Sequence, residues 1–329
     1  MAKRIELTLA CGDYEIVRAL KEGLVVPDGI DLTVLTAMDA AARHWRFLNN
    51  REFDVAEVSA SSYIMAFDRG LPFTAIPVFL HRRFRHGFAF VNSTKGIRGP
   101  ADLVGRKVGI QSFQVTATVW LRGILESEYG VPYDAIQWFT ELDEDVPFAP
   151  PPGLSLSRLP DAQSLEDLLV QGEIDAVLHS DLILPWLQGD PRVARLFPDY
   201  KREERAYFRK TGVFPIMHVM GIRPEIVARY PWVPINLFHA FNESKAIAMR
   251  RMENPRIVPL AWYRDAWEEQ EQILGRDPWQ YGLTDGNRAS LDALLAYSHG
   301  HGLISRRIPV DELFTNVSQG RRRGNEVRI

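Results

Sequence analysis

Chemistry in this 329-residue chain has few places to reside. His218 stands inside "TGVFPIMHVMGI", walled by Phe214, Met217 and Met220. An imidazole's ordinary pKa of about 6.5 lets it give and regain a proton near neutral pH. The plain alternative is a hydrogen-bonded core histidine. Glu57 and Ser59 in "DVAEVSAS" alternate onto one strand face, where the carboxylate could relay a proton or orient a histidine. His86 closes the cationic corner "HRRFRHG"; strand alternation would send Arg83 and Arg85 to one side and Arg82 and His86 to the other. Arg85, with Arg83, is the candidate anion binder there, and His86 rivals His218 as acid. A second anion site is "SFQVTATVW", where Ser112, Gln114 and Thr116 sit at a strand-to-helix turn whose free N–H groups favour a carboxylate. Its alternative is ordinary N-capping. His179 and Asp181 share another alternation, with helix capping by Asp181 equally open.

Composition sets the frame for these residues. With 46% hydrophobic and 25% charged residues, the chain is an ordinary globular one, long enough for two domains. A net charge of -3 with no dominant basic run points away from nucleic acid and anionic membrane. The cluster Arg321 to Arg323 falls in a terminal tail and reads as a solvated end. The one cysteine, Cys11, excludes an intrachain disulfide and fits a reducing compartment. The apolar stretch before it is too short for a secretory core and carries Glu6, so neither signal peptide nor membrane span is expected, and the expected location is cytoplasmic.

The elements follow a β-α-β-α-β rhythm: "RIELTLA", "IDLTVLT" and "DVAEVSA" read as strands, and "DAAARHWRFLNN" and the stretch opening at the serines of "SASSYIMAF" as helices. A second unit of the same kind begins near Asn92, and its Pro-rich "VPFAPPPGLSLSRLP" reads as a surface connection. From Glu225 to about His299 the pattern is helical. These features predict an α/β protein with sheets covered by helices.

Two such units followed by a helical third resemble the two-lobed type II periplasmic-binding-protein fold. "IRGPADLVGRKVGIQS" and "QGEIDAVLHSD" look like parts of its second lobe, and "FRHGFAFVN" and "FPIMHVMGI" like its two crossing strands. That scheme predicts residues 1–90 plus 216–329 as a discontinuous first lobe and 91–215 as the second. It would bring His86 and His218 near the interlobe cleft. "TATVWLRGILESEYGV", "RLFPDY", "YFRKTGVFPIMHVMGIR" and "PWVPINLFHAFNESK" are similar to the 4,5-dihydroxyphthalate decarboxylase family. The resemblance implies an enzyme of aromatic degradation built on a binding-protein scaffold. Where it would put an arginine after "GEIDAV", this chain has Leu178, His179, Ser180 and Asp181, so His179 is the substitute contact and a related hydroxybenzoate is an open substrate.

Decarboxylation of a phenolic acid is easiest when the ring is protonated at the carboxyl-bearing carbon. That chemistry needs an acid, a partner for the phenol and donors for carboxylate. His218, His86 and Glu57 are the catalytic candidates. Arg85, Arg83, Ser59, Ser112, Gln114, Thr116 and His179 are the binding candidates. No spacing of histidines, cysteines or carboxylates makes a metal site, and no phosphate loop, dinucleotide fingerprint or nucleophile elbow appears, so neither metal nor cofactor is assigned. The expected partner is a small aromatic carboxylate, with no nucleic acid and no membrane; self-association is open. The competing class is a non-catalytic solute-binding-like protein closing on a small aromatic or heterocyclic anion.

Overall fold

The computed structural model describes residues 4–317; the Arg321 to Arg323 cluster lies outside the described residues. The chain opens with β1 (Ile5–Ala10), α1 (Arg18–Lys21), β2 (Ile30–Leu35), α2 (Ala40–Trp45), β3 (Val55–Ser59), α3 (Ala60–Asp68) and β4 (Thr74–Ile76). After a first crossing come β5 (Ala89–Asn92), β6 (Lys107–Ile110), α4 (Thr116–Tyr129), β7 (Gln137–Thr140), β8 (Leu156–Arg158), α5 (Leu165–Gln171), β9 (Ala176–Leu178), α6 (Leu184–Leu187), β10 (Val193–Arg195) and α7 (Tyr200–Thr211). A second crossing leads to β11 (His218–Ile222), then α8 (Pro224–Arg229), α9 (Val233–Met252), α10 (Tyr263–Leu274) and α11 (Asp285–Gly300).

Two sheets result, ordered β2-β1-β3-β11-β4 and β10-β5-β9-β6-β7-β8. In the first, β1, β2 and β3 are parallel and β11 runs antiparallel between β3 and β4. In the second, β5 is the strand antiparallel to its neighbours β9 and β10. Each sheet thus receives its reversed strand from a crossing, and the second sheet takes the chain from Ala89, two residues before the boundary read from sequence. All five residues of β3 are buried, as expected of a strand covered on both faces. The Pro-rich connection hides one strand: β8 pairs parallel with β7 as the sheet edge, because the three residues between Ser155 and Leu159 escape the prolines.

The crossings hold each other. Arg82 bridges Ile216, the Arg83 N–H donates to Pro215 O at 3.1 Å, and the Met217 N–H donates to His81 O at 3.0 Å. The buried Arg82 guanidinium donates to Phe214 O, Asn287 Oδ1 and Pro278 O. Trp120 of α4 donates to Ile216 O at 2.9 Å, and Ser290 of α11 donates to Phe214 O. α11 packs on both α3 and α4, and Gly123 makes room for it: a Cβ there would stand 2.2 Å from the Tyr297 ring. No helix of the described residues is long and apolar enough to cross a membrane.

Candidate active site

The site grows from a sheet diagonal. β11 pairs with β3 so that His218 lies opposite Ser59 and Met220 opposite Glu57. Residues directly opposite share a face, and the His218–Glu57 diagonal is within reach of long side chains. His218 Nδ1 and Glu57 Oε1 stand 2.7 Å apart. The end of β1 adds two donors: the Gly12 N–H at 2.8 Å from Oε2 and the Tyr14 hydroxyl at 3.0 Å from Oε1. Glycine at 12 leaves room for the Tyr14 ring folded over it; a Cβ there would lie 2.5 Å from that ring and push it off Glu57.

α2, capped by Asp39 accepting from the Ala42 N–H, covers the same face. Its Arg43 donates Nη2 to Glu57 Oε2 at 2.8 Å and Nε to the Glu57 carbonyl at 3.2 Å. The next residue, His44, and His81 of the first crossing both meet the His218 ring edge-on, each with centroids 4.7 Å away. The buried His44 Nε2 and His81 Nδ1 have no hydrogen-bond partner among the described residues.

Electrostatics divides these groups into roles. Burial alone would raise the Glu57 carboxyl, but His218's charge and hydrogen bond, the Arg43 guanidinium and the Gly12 N–H together hold it well below the usual carboxylate range. Ionised and accepting from four donors, Glu57 has no lone pair left for a substrate. It therefore orients the histidine rather than relaying a proton. An ionised carboxylate only accepts, so the 2.7 Å contact puts a proton on Nδ1 and leaves Nε2 as the exchangeable nitrogen. The His218 side chain keeps 11% of its surface open. Burial and then repulsion from His218 push His81 down to about 2; the same two causes hold His44 well below its ordinary value. Both flanking rings are thus neutral near pH 7.

The other candidates are placed elsewhere. His86 is buried among Phe197, Tyr129 and Tyr207, with burial lowering it to about 4, so it is no rival acid in this cluster. Arg85 is fully buried, stacked on Phe88 and donating to the carbonyls of His179 and Ser180. It braces the crossing through Nη2, while its buried Nε and Nη1 have no hydrogen-bond partner among the described residues, and the predicted alternation fails because residues 77–85 are not a strand. Arg83 is exposed, 3.5 Å from Asp181. The half-buried His179 turns its Nδ1 to the Asp181 N–H.

The turn before α4 is already occupied. Its Phe113 and Gln114 N–H groups donate to the two Glu144 carboxylate oxygens at 2.7 and 3.0 Å. The Gln114 side chain pairs with the Val146 backbone. Thr116 bonds Ser59 and the Ser61 N–H. Beside Glu144, Asp145 accepts from the Ser62 hydroxyl, and its carbonyl from Asn49. Residues 144–147 therefore strap the second sheet's helix to α3 and its neighbours. Among the described residues no group of three histidines, cysteines or carboxylates could hold a metal ion.

Sequence reasoning missed Arg43, His44, His81, Tyr14 and Glu144. Adjacent titratable residues in "AARHW", on a helix following a strand, were the available signal. Their convergence depends on how α2 sits over β3.

A protein named 4,5-dihydroxyphthalate decarboxylase from Comamonas testosteroni is 35% identical over 324 residues, covering 96% of this chain and 98% of that protein. The chain belongs to the 4,5-dihydroxyphthalate decarboxylase family. A relative of the same name from Pseudomonas putida is 30% identical over 213 residues, covering 63% of this chain and 82% of its own. Residues 15–140 match a family model described as NMT1/THI5 like. The periplasmic aliphatic sulphonate binding protein of Escherichia coli superposes with a TM-score of 0.57 at 12% identity, covering 95% of this chain and 98% of that one. This decarboxylase-family chain therefore has a periplasmic-binding-protein fold, and the His218–Glu57 pair lies where its two crossings meet the first sheet.

Proposed function

We propose that the protein decarboxylates a hydroxylated aromatic carboxylic acid, 4,5-dihydroxyphthalate or a related hydroxybenzoate, with His218 as general acid. The observation that carries this reading is the buried Glu57, which holds His218 Nδ1 at 2.7 Å and accepts three further donors. A proton on Nε2 passes to the ring carbon that bears the carboxylate. The bond from that carbon to the carboxylate then breaks, carbon dioxide leaves, and the bond's electron pair restores aromaticity. The product carries the transferred proton in place of the carboxylate, and water reprotonates Nε2. His81 and His44, held neutral beside His218, keep competing positive charge off the acid.

Family membership supports the reading, since a relative bearing the decarboxylase name aligns over nearly the whole chain. The test is carbon dioxide release from a panel of hydroxyphthalates and hydroxybenzoates, with and without chelator, alongside calorimetric binding. Turnover of at least one acid supports it; tight binding across the panel without turnover would replace it with a solute-binding role. A cytoplasmic location belongs to the same reading, which the single buried Cys11 fits and cell fractionation checks.

A further inference from the structure

A chamber of about 550 Å³ opens beside the His218–Glu57 pair. All its lining residues come from 13–16, from 80–83 or from the helical C-terminal third, and none from the second sheet's lobe. It is therefore distinct from a cleft closed between the lobes. Its inner wall is shared with the acid machinery: Tyr14 lines the chamber and bonds Glu57, and His81 lines it and packs on His218.

The outer wall explains an oddity of α10. One face of that helix, Tyr263, Ala266, Trp267 and Gln270, follows helical spacing, yet α10 buries no residue completely. An amphipathic helix normally lays such a face on a packed core; here the face looks into the chamber, opposite Met249, Met252 and Trp279. Flat aromatic rings and polarisable thioethers suit a planar π-system. Charge at the rim is asymmetric. Asp13 is neutralised by Lys21 at 2.8 Å and Glu15 by Arg18 at 2.9 Å. Arg83 lies over the Phe88 ring and faces the exposed Asp181 at 3.5 Å, a long contact that leaves donors of its guanidinium for an incoming carboxylate.

We infer that this chamber seats the aromatic ring of the substrate, an aromatic carboxylate, against Trp267 and Trp279 with its carboxylate on Arg83 and its inner edge at Tyr14 and His81, the two lining residues that touch the His218–Glu57 pair. The inference rests on the decarboxylase reading for its substrate class, but the chamber can be tested without turnover. Protein carrying His218→Asn would be titrated with 4,5-dihydroxyphthalate and 3,4-dihydroxybenzoate, following tryptophan fluorescence. Quenching is expected, with Kd weakened about tenfold by a further Trp267→Ala, which removes an aromatic wall, or Ala266→Trp, which fills the space from an exposed position. In otherwise wild-type protein the same two changes should raise KM about tenfold and alter kcat less than about threefold. Trp262→Ala, at an exposed residue outside the lining, controls for loss of a tryptophan. Kd and KM unchanged in both chamber variants would overturn the inference even if the wild type turns over. Quenching sensitive to those variants, in a protein that releases no carbon dioxide, would uphold the chamber and sink the decarboxylase reading.

Discussion

Replacing Glu57 by glutamine changes one charge and almost no volume. The carboxylate accepts from Gly12 and Arg43 on Oε2 and from Tyr14 and His218 on Oε1. A glutamine amide keeps one oxygen, which will stay with Arg43 and the Gly12 N–H because a buried guanidinium cannot face an NH2 group. The amide nitrogen then points at His218 Nδ1 as a donor. Nδ1 must accept, the neutral ring carries its proton on Nε2, and giving up that proton would leave an imidazolide anion, so the acid is lost. Turnover should fall about 10²–10⁴-fold. Arg43 loses its ionic partner with its side chain only 2% exposed, and breaking a buried pair this way costs about 3–5 kcal/mol. The assays are kcat against pH and urea unfolding. Expected are a lower urea midpoint, and residual turnover that no longer falls on the alkaline side as the wild type's should. Glu57→Asp, which restores the charge, should recover part of both. A folded Glu57→Gln protein with near-wild-type kcat and an unchanged pH profile would refute the reasoning.

His218→Asn should cost about 10²–10⁴ in turnover while substrate binding survives; near-normal turnover would return His218 to the core. Arg85→Met should shift the urea midpoint and leave KM within about twofold, because the guanidinium is fully buried, donates Nη2 to two carbonyls and lies outside the chamber lining; a large KM rise would restore it as an anion binder. Because the folded His81 lies below its unfolded value of about 6.5, the unfolded chain takes up a proton that the folded one refuses. The stability this neutral ring preserves is complete above about pH 6.5 and declines below it, by up to about 1.4 kcal/mol per unit, down to about pH 2. Glu204 and Asp145, raised by burial to about 7 and about 6, act in the opposite sense between those values and about pH 4. The measurement is therefore the difference between wild-type and His81→Asn urea midpoints from pH 7.5 to 5, which should shrink with acidification; a constant difference would contradict the assignment.

The sheets were legible because their strands are short apolar runs bounded by turn residues and helical stretches. β3 and α4 could be read almost residue by residue. β8 could not, since three residues inside a Pro-rich connection carry too little pattern. Within the site, Glu57 and His218 stood out because a polar group in a buried strand must have a partner. Arg43 and His44 were invisible for the opposite reason: on a helix of mixed composition, charged residues are the expected solvent face, and burial of both against β3 is decided by tertiary packing. Arg85 and His86 misled because "HRRFRHG" was read with strand periodicity, whereas this crossing is irregular and buries Arg82 and Arg85 while exposing Arg83. The turn before α4 was read as a seat for a substrate carboxylate, and its Phe113 and Gln114 N–H groups donate to Glu144. What sequence could not show is that the chain brings its own.

That internal carboxylate bears on how recognition is powered. In periplasmic binding proteins a ligand acts as the clasp, drawing two domains together about a hinge. Here Glu144 and Val146 tie their segment to the turn before α4, and Asp145 between them reaches Ser62 and Asn49 of the first unit, so a clasp made of covalently attached chain already spans the gap. The entropy of bringing the halves into register is met once, as the polypeptide folds, instead of at every encounter with a small molecule. Whatever affinity an arriving acid generates then need not go into drawing the halves together, the task that it serves in a transport receptor.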